Sequence, residues 1–388
     1  MRNKFNFSLP TEIIYGWGAF DSLAEVLQKK GHKNILLVTT GLRKAGILPG
    51  LKQQLSDAGI KYEFFTDVEP DPSIETVEKG VAVLKEQGAT AIVAIGGGSS
   101  IDAAKMISII ATNGGKVNDY EGLGKIKKPG LPLVAVPTTA GSGSEVTTFT
   151  VITDKEREFK MAIGGPEVAP SIALVDPKLT VTVPAGLTAS TGMDALTHAL
   201  ESYVSRTANF LTEAWSLEAI RLVGEYLRRA VLVGDDPEAR DGMMLASLLG
   251  GACFSNARLG NVHAMAHPLG GIFHIPHGMA NAVLLPYVIK YNALATPHKF
   301  VRVAEALGED VYGLPHREGA LKAAEAVAKL SEDIGIPTNL KDVGADESAM
   351  DKLVEDTMKS GNVFVNPRKT SSEDIRKIYE DAFAGRLF

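Results

Sequence analysis

The residues best suited to chemistry in this sequence are the histidines between Gly260 and His277. This stretch, GNVHAMAHPLGGIFHIPH, holds four of the eight histidines in the 388-residue chain. Imidazole is the commonest metal ligand in proteins, and its pKa near neutrality also lets it transfer protons. The stretch therefore predicts half of a metal site. A set of buried, hydrogen-bonded histidines is the alternative, and it is the better explanation for any one of the four taken alone.

The spacing of these histidines predicts how they are placed. His263 and His267 are four residues apart, so they share one face if the segment is helical. Pro268 and the pair Gly270–Gly271 predict the end of that helix and a turn of the chain. His277 is then predicted to return toward the same point from a loop.

A carboxylate and a further imidazole are predicted to complete the site. Asp194 and His198 are four apart in TASTGMDALTHALESYVS, which places them on one face of a helix. The residues between and after them are apolar, so we expect that helix to be buried. A buried carboxylate is costly unless a partner such as a divalent cation compensates it. One carboxylate oxygen and three imidazole nitrogens suit Zn²⁺ or Fe²⁺ better than Mg²⁺ or Ca²⁺, which prefer oxygen.

Composition excludes several classes of protein. The chain is 45% hydrophobic and 22% charged, as an ordinary globular protein is, and its length predicts two domains. A net charge of −6 with scattered Lys and Arg predicts no nucleic-acid partner. The single cysteine, Cys253, excludes a disulfide within the chain. The sequence has neither the apolar core of a signal peptide nor an apolar run of roughly 20 residues, so we expect a cytoplasmic protein without a membrane partner.

The elements that position these residues fall into two groups. The first half alternates short apolar runs with helical patterns, which predicts a parallel sheet with helices on both faces. Its predicted elements are an extended segment Phe5–Tyr15, a helix Phe20–Lys30, and strands Ile35–Val38, Tyr62–Val68, Ala91–Ile95 and Leu133–Val136. Asp71 and Pro72 predict a helix start with Asp71 as the N-cap.

From about Pro184 long helical patterns take over. They predict helices Leu187–Val204, Phe210–Val233, Pro237–Phe254, Val283–Ala295, Lys299–Leu307 and Arg317–Ile334. The predicted fold class is therefore α/β: an N-terminal Rossmann-like dinucleotide-binding domain of residues 1–183, followed by an all-helical metal-binding domain of residues 184–388.

The glycines after the strand Ala91–Ile95 are typical of a phosphate-binding turn. A helix is predicted to begin near Ser99, so Gly97 and Gly98 would let the backbone approach a pyrophosphate at the helix start. The run is not the G-x-G-x-x-G pattern and does not follow the first strand. A tight turn without a ligand therefore explains it equally well.

A second loop favours the ligand-binding interpretation over a tight turn without a ligand. The segment PTTAGSGSE follows the strand Leu133–Val136 and carries the hydroxyls of Thr138, Thr139 and Ser142. Ligands bind at the carboxyl ends of the strands in open α/β sheets. Two such loops on one sheet edge predict a bound dinucleotide.

Four motifs in this order carry a family resemblance. With GGGSSID, PTTAGSGSEVT, TGMDALTHALESYVS and NVHAMAHPLGGIFHIPHGMANAVLLP, the chain resembles the iron-containing, group III alcohol dehydrogenases over nearly its full length. The resemblance implies Fe²⁺ as the metal, although the ligand set accommodates Zn²⁺ as well. It also implies that Asp194, His198, His263 and His277 are the metal ligands. His267 is then a catalytic histidine beside the nicotinamide and not a ligand.

The same resemblance implies the cofactor contacts. They are Gly98, Ser99 and Asp102 in the first loop, Thr138, Thr139 and Ser142 in the second, and Lys160 and Leu179. The implied function is a metal-dependent, NAD(P)-linked alcohol dehydrogenase or aldehyde reductase that transfers hydride between nicotinamide and a small primary alcohol or aldehyde. Phe149 and Phe254 line the pocket by similarity. A homodimer or higher homo-oligomer is expected, because an extended amino-terminal segment can pair with its copy.

Two positions depart from the family's pattern and bear on the cofactor. Thr40 stands where NAD-preferring relatives have an Asp, which would repel the 2′-phosphate of NADP. Thr40 can donate a hydrogen bond to that phosphate, and Arg43 and Lys44 follow closely. Asp71 stands where an Asn is common and argues the other way unless it is occupied as an N-cap. The sequence predicts that NADP(H) is accepted and preferred over NAD(H).

Three other readings of the sequence stay open at this point. Zinc-dependent glycerol dehydrogenases are similar but lack the ligand at the position of His198. A dehydroquinate synthase-like enzyme would need a basic cluster for its substrate, and the metal region has only Arg258. A non-enzymatic protein that senses a nucleotide or a metal is the third reading, and no feature of the sequence favours it.

Overall fold

A computed structural model describes residues 4–40, 46–157 and 159–388. The chain forms two compact units. An α/β unit comprises Leu9–Thr139 and Gly143–Thr182, and a helical unit comprises Val183–Phe388, Ala140–Ser142 and the described residues up to Ser8. A parallel sheet in the first unit and long helices in the second confirm the predicted fold class.

A sheet of six parallel strands forms the centre of the α/β unit. The strands of the chain are β1 (Glu12–Tyr15), β2 (Asn34–Thr39), β3 (Lys61–Phe65), β4 (Ala91–Gly96), β5 (Gly122–Leu123), β6 (Leu133–Pro137), β7 (Phe149–Asp154), β8 (Phe159–Gly164) and β9 (Ile172–Val175). The six-stranded sheet has the order β1-β9-β6-β4-β2-β3, and a smaller sheet, which the sequence analysis did not predict, has the order β5-β8-β7.

Helices cover both faces of the large sheet. They are α1 (Leu23–Lys29), α2 (Leu48–Asp57), α3 (Ile74–Gln87) and α4 (Gly98–Asn113). Side chains of β2 alternate: Leu36 and Val38 pack with α3 and α4, whereas Ile35 and Leu37 pack with α1 and α2. Strands that are buried on both faces in this way read as continuous apolar runs, which is why β2, β4 and β6 were predictable.

Three local predictions in this unit are wrong. Asp71 is not the N-cap of α3; it has a positive φ of 54°, and the side chain of Ser73 caps the helix by accepting from the backbone N–H of Thr76. The strand predicted to reach Val68 ends at Phe65. The predicted helix start at Phe20 is instead a 3-10 turn, Ala19–Ser22, and the α-helix begins at Leu23.

The helical unit contains the predicted ligands. Its helices are α5 (Ala185–Val204), α6 (Phe210–Leu232), α7 (Pro237–Ala257), α8 (Asn261–Phe273), α9 (His277–Asn292), α10 (Pro297–Ala306), α11 (His316–Asp333), α12 (Met350–Met358) and α13 (Ser372–Ala384). Short 3-10 helices occur at Val117–Tyr120, Ser144–Val146, Pro166–Val168, Pro177–Thr180, Lys341–Val343, Glu347–Ala349 and Val363–Val365.

The histidine-rich segment folds differently from the prediction. Helix α8 does not end at Pro268 but continues to Phe273, and His274 ends it with a φ of 56°. Proline removes one backbone hydrogen bond from a helix. Here α8 is largely buried and packs against α9 and α12, so tertiary packing outweighs the local preference. His277 is the first residue of α9 and does not lie in a loop.

Two further findings bear on earlier expectations. No helix in the described part of the chain combines the length and apolar character that crossing a membrane requires. Cys253 is buried and free. Arg43 and Lys44, which follow Thr40, lie outside the described residues.

Candidate metal centre

Three ligand atoms converge from three helices of the helical unit. Nε2 of His263 on α8 lies 3.8 Å from Oδ1 of Asp194 on α5, and Nε2 of His277 on α9 lies 3.7 Å from the same oxygen. The three ligand atoms all lie within 4.8 Å of one another. Around a tetrahedral zinc with bonds of about 2.1 Å, neighbouring ligand atoms are about 3.4 Å apart. The observed separations are therefore close to those that one divalent ion requires.

His198 stands at the edge of this group. Its Nε2 lies 3.9 Å from Oδ1 of Asp194, and its ring stacks on that of His263 with centroids 4.7 Å apart. Nδ1 of His198 is 3.2 Å from the carbonyl oxygen of Gly141. Because a carbonyl only accepts, Nδ1 is the donor of this contact, and Nε2 is the ring nitrogen on the Asp194 side, where a metal would be bound.

The carboxyl group of Asp194 is the electrostatic centre of the cluster. Burial raises its pKa, but the imidazoles of His198, His277 and His263, together with the amide of Asn281, outweigh burial and lower the pKa overall. Asp194 is therefore an anion at neutral pH although only 6% of its surface is exposed. A buried anion among imidazole lone pairs is well matched to a divalent cation, so the donor set fits the Fe²⁺ or Zn²⁺ predicted from the sequence.

Glu201 holds His263 in place, a residue that the sequence analysis missed. Oε2 of Glu201 lies 2.7 Å from Nδ1 of His263, and Oε1 accepts from the backbone N–H of Val262 at 2.6 Å. Burial raises the pKa of Glu201 to about 7, although hydrogen bonds from the backbone N–H groups around Gly260 act to lower it. When it is ionised, Glu201 accepts a hydrogen bond from Nδ1–H of His263, which leaves the lone pair of Nε2 for a metal. Carboxylate–histidine–metal arrangements of this kind orient many metal ligands.

Burial also keeps His263 neutral. It lowers the pKa of this imidazole well below its ordinary value, and the neighbouring His198 lowers it further, against the opposing effect of Asp194. A neutral imidazole is the form that binds metals.

Asn281 is a second residue that the sequence analysis missed. Its Nδ2 lies 2.7 Å from Oδ1 of Asp194, 3.1 Å from Nε2 of His277 and 3.2 Å from Nε2 of His263. For both Glu201 and Asn281, the sequence signal that could have identified them is their helical spacing from a predicted ligand. Asn281 is one turn after His277, and Glu201 is seven residues after Asp194, so each shares a helix face with a predicted ligand.

The two remaining histidines of the stretch lie outside the group of three ligands. The ring of His267 stacks on that of His277 with centroids 5.6 Å apart, next to the cluster but not in it. His274 is exposed and ends helix α8. The role of His267 as a non-ligand catalytic histidine stays a prediction.

Three of the predicted cofactor contacts lie together in the α/β unit. The backbone N–H of Asp71 donates to Oγ of Ser99 at 3.3 Å, and Nζ of Lys160 pairs with Oδ2 of Asp71 at 2.9 Å. Asp71 is thus occupied by Lys160 and not by helix capping. Its positive φ and the contact with Ser99 bring it to the start of α4.

The two predicted loops also lie side by side. A Cβ placed on Gly97 would be 3.2 Å from Oγ1 of Thr139. The backbone N–H of Thr138 donates to the carbonyl oxygen of Gly96 at 3.0 Å. Gly98 is the first residue of α4, so the N-terminus of that helix lies at the two loops.

Asp102 is engaged by the protein itself. Its Oδ1 accepts from Oγ of Ser144 at 2.5 Å, and its Oδ2 accepts from the backbone N–H of Val151 at 3.0 Å. Nζ of the buried Lys105 is 3.9 Å away. Its carboxylate thus ties α4 to the second loop, and a cofactor contact by Asp102 stays a prediction.

Three further predicted contacts are placed separately. Thr40 follows β2 and is exposed, and Leu179 is largely buried in a 3-10 helix. Ser142 belongs to the helical unit.

Comparison with known proteins identifies the family. A model of the iron-containing alcohol dehydrogenases matches residues 10–177, and a model of the C-terminal part of the Fe-containing alcohol dehydrogenase family matches residues 188–383. The chain belongs to the iron-containing alcohol dehydrogenase family. The predicted family and enzyme class are confirmed: this is an oxidoreductase that acts on CH–OH groups.

Individual relatives of this family are similar along nearly the whole chain. The 1,3-propanediol dehydrogenase of Klebsiella pneumoniae is 45% identical over 98% of this chain and 99% of its own length. The NAD-dependent methanol dehydrogenase of Bacillus methanolicus is 39% identical over 97% of this chain and 99% of its own length. A crystal structure of a 1,3-propanediol oxidoreductase superposes with a TM-score of 0.96 at 45% identity, covering 98% of this chain and all of the other.

Replacing Glu201 tests its support of His263. We expect Glu201→Gln to lower metal affinity about 10- to 100-fold, as loss of such partners commonly does. The measurement is metal content after dialysis against a graded chelator. Glu213→Gln is the matched control, because Glu213 pairs with Lys299 and with no ligand. Equal retention of metal in both variants would show that Glu201 does not position His263.

Proposed function

We propose that this alcohol dehydrogenase interconverts small primary alcohols and aldehydes, with one Fe²⁺ held by Asp194, His198, His263 and His277. The observation that carries the proposal is the convergence of ligand atoms on Oδ1 of Asp194, at 3.7 to 3.9 Å from each of three imidazole nitrogens. Zn²⁺ fits the same donors, and iron is chosen because the family is iron-containing.

The chain's residues divide the chemical work. A divalent ion in such a site supplies Lewis acidity, which polarises a carbonyl or lowers the pKa of an alcohol. Asp194 and the three imidazoles would hold this ion, and Glu201 fixes the ring of His263. His267, next to His277 and partly exposed, is suited to move the alcohol proton to solvent.

The substrate class is supported by two relatives. One is a 1,3-propanediol dehydrogenase and another is a methanol dehydrogenase, and both names denote small primary alcohols. Phe254 is suited to an apolar pocket wall, because its ring stacks on that of His198 with centroids 4.6 Å apart.

The nicotinamide cofactor is proposed to bind at the two loops of the α/β unit. Its contacts would come from Gly97, Gly98, Ser99, Thr138 and Thr139, with the pyrophosphate at the start of α4. The remaining predicted cofactor contacts are Asp71, Asp102, Ser142, Lys160 and Leu179. One relative is an NAD-dependent methanol dehydrogenase, which supports NAD(H) as an accepted cofactor, whereas Thr40 bears on which of the two cofactors is preferred.

Self-association and location are further parts of the proposal. Strand β1 is an edge of the six-stranded sheet, and an edge strand can pair with its copy in a homodimer. The segment before it is held in part by Asn256, which pairs with both backbone groups of Ser8. A cytoplasmic location is supported by the single cysteine, which is free and buried.

The function is tested by metal-dependent turnover. We expect the anaerobically purified, iron-loaded protein to oxidise small primary alcohols and to reduce the matching aldehydes, followed by nicotinamide absorbance. His263→Ala should lose at least tenfold in metal content and lose turnover while the fold survives, because it removes one of the ligands. His298→Ala, at an exposed position of α10, is the control. Full metal occupancy in His263→Ala would contradict the ligand assignment.

The role of His267 is separable from metal binding. His267→Ala should keep its metal and lower kcat by about 100-fold or more, with an altered pH profile, because a proton relay is removed. The exposed His274 provides the comparison, and His274→Ala should change kcat little. Loss of metal from His267→Ala would place His267 among the ligands instead.

Thr40 decides the cofactor preference that we expect. NADP(H) should be accepted and preferred over NAD(H), because Thr40 is exposed at the end of β2 without a carboxylate, and Asp71 is paired with Lys160. Thr40→Asp should shift the ratio of kcat/KM for NADP(H) and NAD(H) toward NAD(H) by at least tenfold. A strong NAD(H) preference in the unmodified protein would refute this expectation.

A further inference from the structure

Asn281 makes an unusual set of contacts for an asparagine. It is fully buried on α9, and its single amide nitrogen lies within hydrogen-bonding distance of three ligand atoms, on Asp194, His263 and His277. An amide nitrogen carries two hydrogens and only donates. The three atoms it faces are the three that converge as a candidate metal group.

The other end of this amide is left without a partner. Oδ1 of Asn281 is buried and accepts no hydrogen bond in the described part of the chain. Buried polar groups are normally paired, so an unpaired amide oxygen needs a reason. The contacts of Nδ2 supply it, because turning the amide over would bring Oδ1 against the carboxylate oxygen of Asp194, which also only accepts.

The position of Nδ2 among these atoms explains what it does. Oδ1 of Asp194 lies 3.8 Å from Nε2 of His263 and 3.7 Å from Nε2 of His277, and Nδ2 of Asn281 lies within 3.2 Å of all three atoms. The other ring nitrogen of His263 is engaged by Oε2 of Glu201. The N–H groups of Asn281 therefore add partial positive charge at the centre of the ligand group.

We propose that Asn281 is a positioning residue that substitutes for the cation in the metal-free enzyme. Its N–H groups compensate the carboxylate of Asp194 until metal arrives. The cation then takes over that compensation, so Asn281 contributes more to the stability of the metal-free form than to that of the loaded form. This inference rests on the metal site of the proposed function.

The thermodynamic linkage between metal binding and folding distinguishes this role from that of a purely structural asparagine. If a substitution destabilises the metal-free form more than the loaded form, the metal must bind the folded variant more tightly than it binds the unmodified protein. Simple pre-organisation of the ligands by Asn281 predicts the reverse, a loss of affinity.

The test compares melting temperatures with and without metal. Asn281→Ala and the unmodified protein are stripped with a chelator, and half of each is reloaded anaerobically with Fe²⁺ or with Zn²⁺ alone. We expect the metal-free Tm to fall in the variant, the loaded Tm to fall by less than half as much, and the metal Kd to decrease. An equal fall in both forms, or an unchanged or weaker metal affinity, would overturn the inference.

Two further variants keep the test decisive. Asn292→Ala is the matched control, because Asn292 is also buried on α9 but pairs with Asn366. It should lower both melting temperatures equally. Asn281→Ser, which keeps one donor, should give a smaller change of the same pattern and decides the question if Asn281→Ala does not fold.

Failure of the proposed metal site would give a different result from failure of the role of Asn281. If the unmodified protein takes up neither Fe²⁺ nor Zn²⁺ and its Tm does not respond to them, the proposed metal site is wrong and this inference falls with it. A normal metal response in the unmodified protein with equal falls in Asn281→Ala would refute the role of Asn281 alone.

Discussion

The compensation of one buried anion, Asp194, is the constraint on which the candidate site depends. Its pKa is lowered in spite of burial because imidazoles and an amide surround it. In a low-dielectric interior such an anion is tolerated only when paired. The cluster of His198, His263 and His277 around Oδ1 is therefore both the ligand set for a cation and the environment that keeps Asp194 charged.

Close helix packing brings the ligands to Asp194, and glycines permit it. A Cβ on Gly278 would lie 2.4 Å from the carbonyl oxygen of Ser190, so α9 approaches α5 only because Gly278 follows His277. A Cβ on Gly260 would lie 2.9 Å from Oε1 of Glu201, the carboxylate that holds His263. The glycines that flank the histidine stretch are thus part of the geometry of the site, and larger side chains there would separate the ligand-bearing helices.

Sequence patterns predicted the parts of the fold that local residues determine. The strands β2, β4 and β6 are continuous apolar runs, and the Asp194–His198 spacing placed both residues on one buried helix face. The predictions failed where distant residues decide. Packing by α9 and α12 carries α8 through Pro268, and Ser73 caps α3 because Asp71 is held by Lys160 and Ser99.

Glu201 and Asn281 were missed for a related reason. Each is an ordinary helix residue in the sequence, and its importance comes from contacts with ligands 62 and 87 positions away along the chain. The spacing from Asp194 and His277 was present in the sequence, but it gains meaning only when the facing helix is known. Buried polar partners of a ligand are therefore harder to predict than the ligand itself.

Anomalous X-ray diffraction at the iron absorption edge, from crystals of anaerobically purified protein, tests the ligand set directly. We expect one iron per chain, bonded to the carboxylate of Asp194 and to Nε2 of His198, His263 and His277. The absence of an iron peak in the helical unit, or a peak whose bonded atoms do not include Asp194, would contradict it.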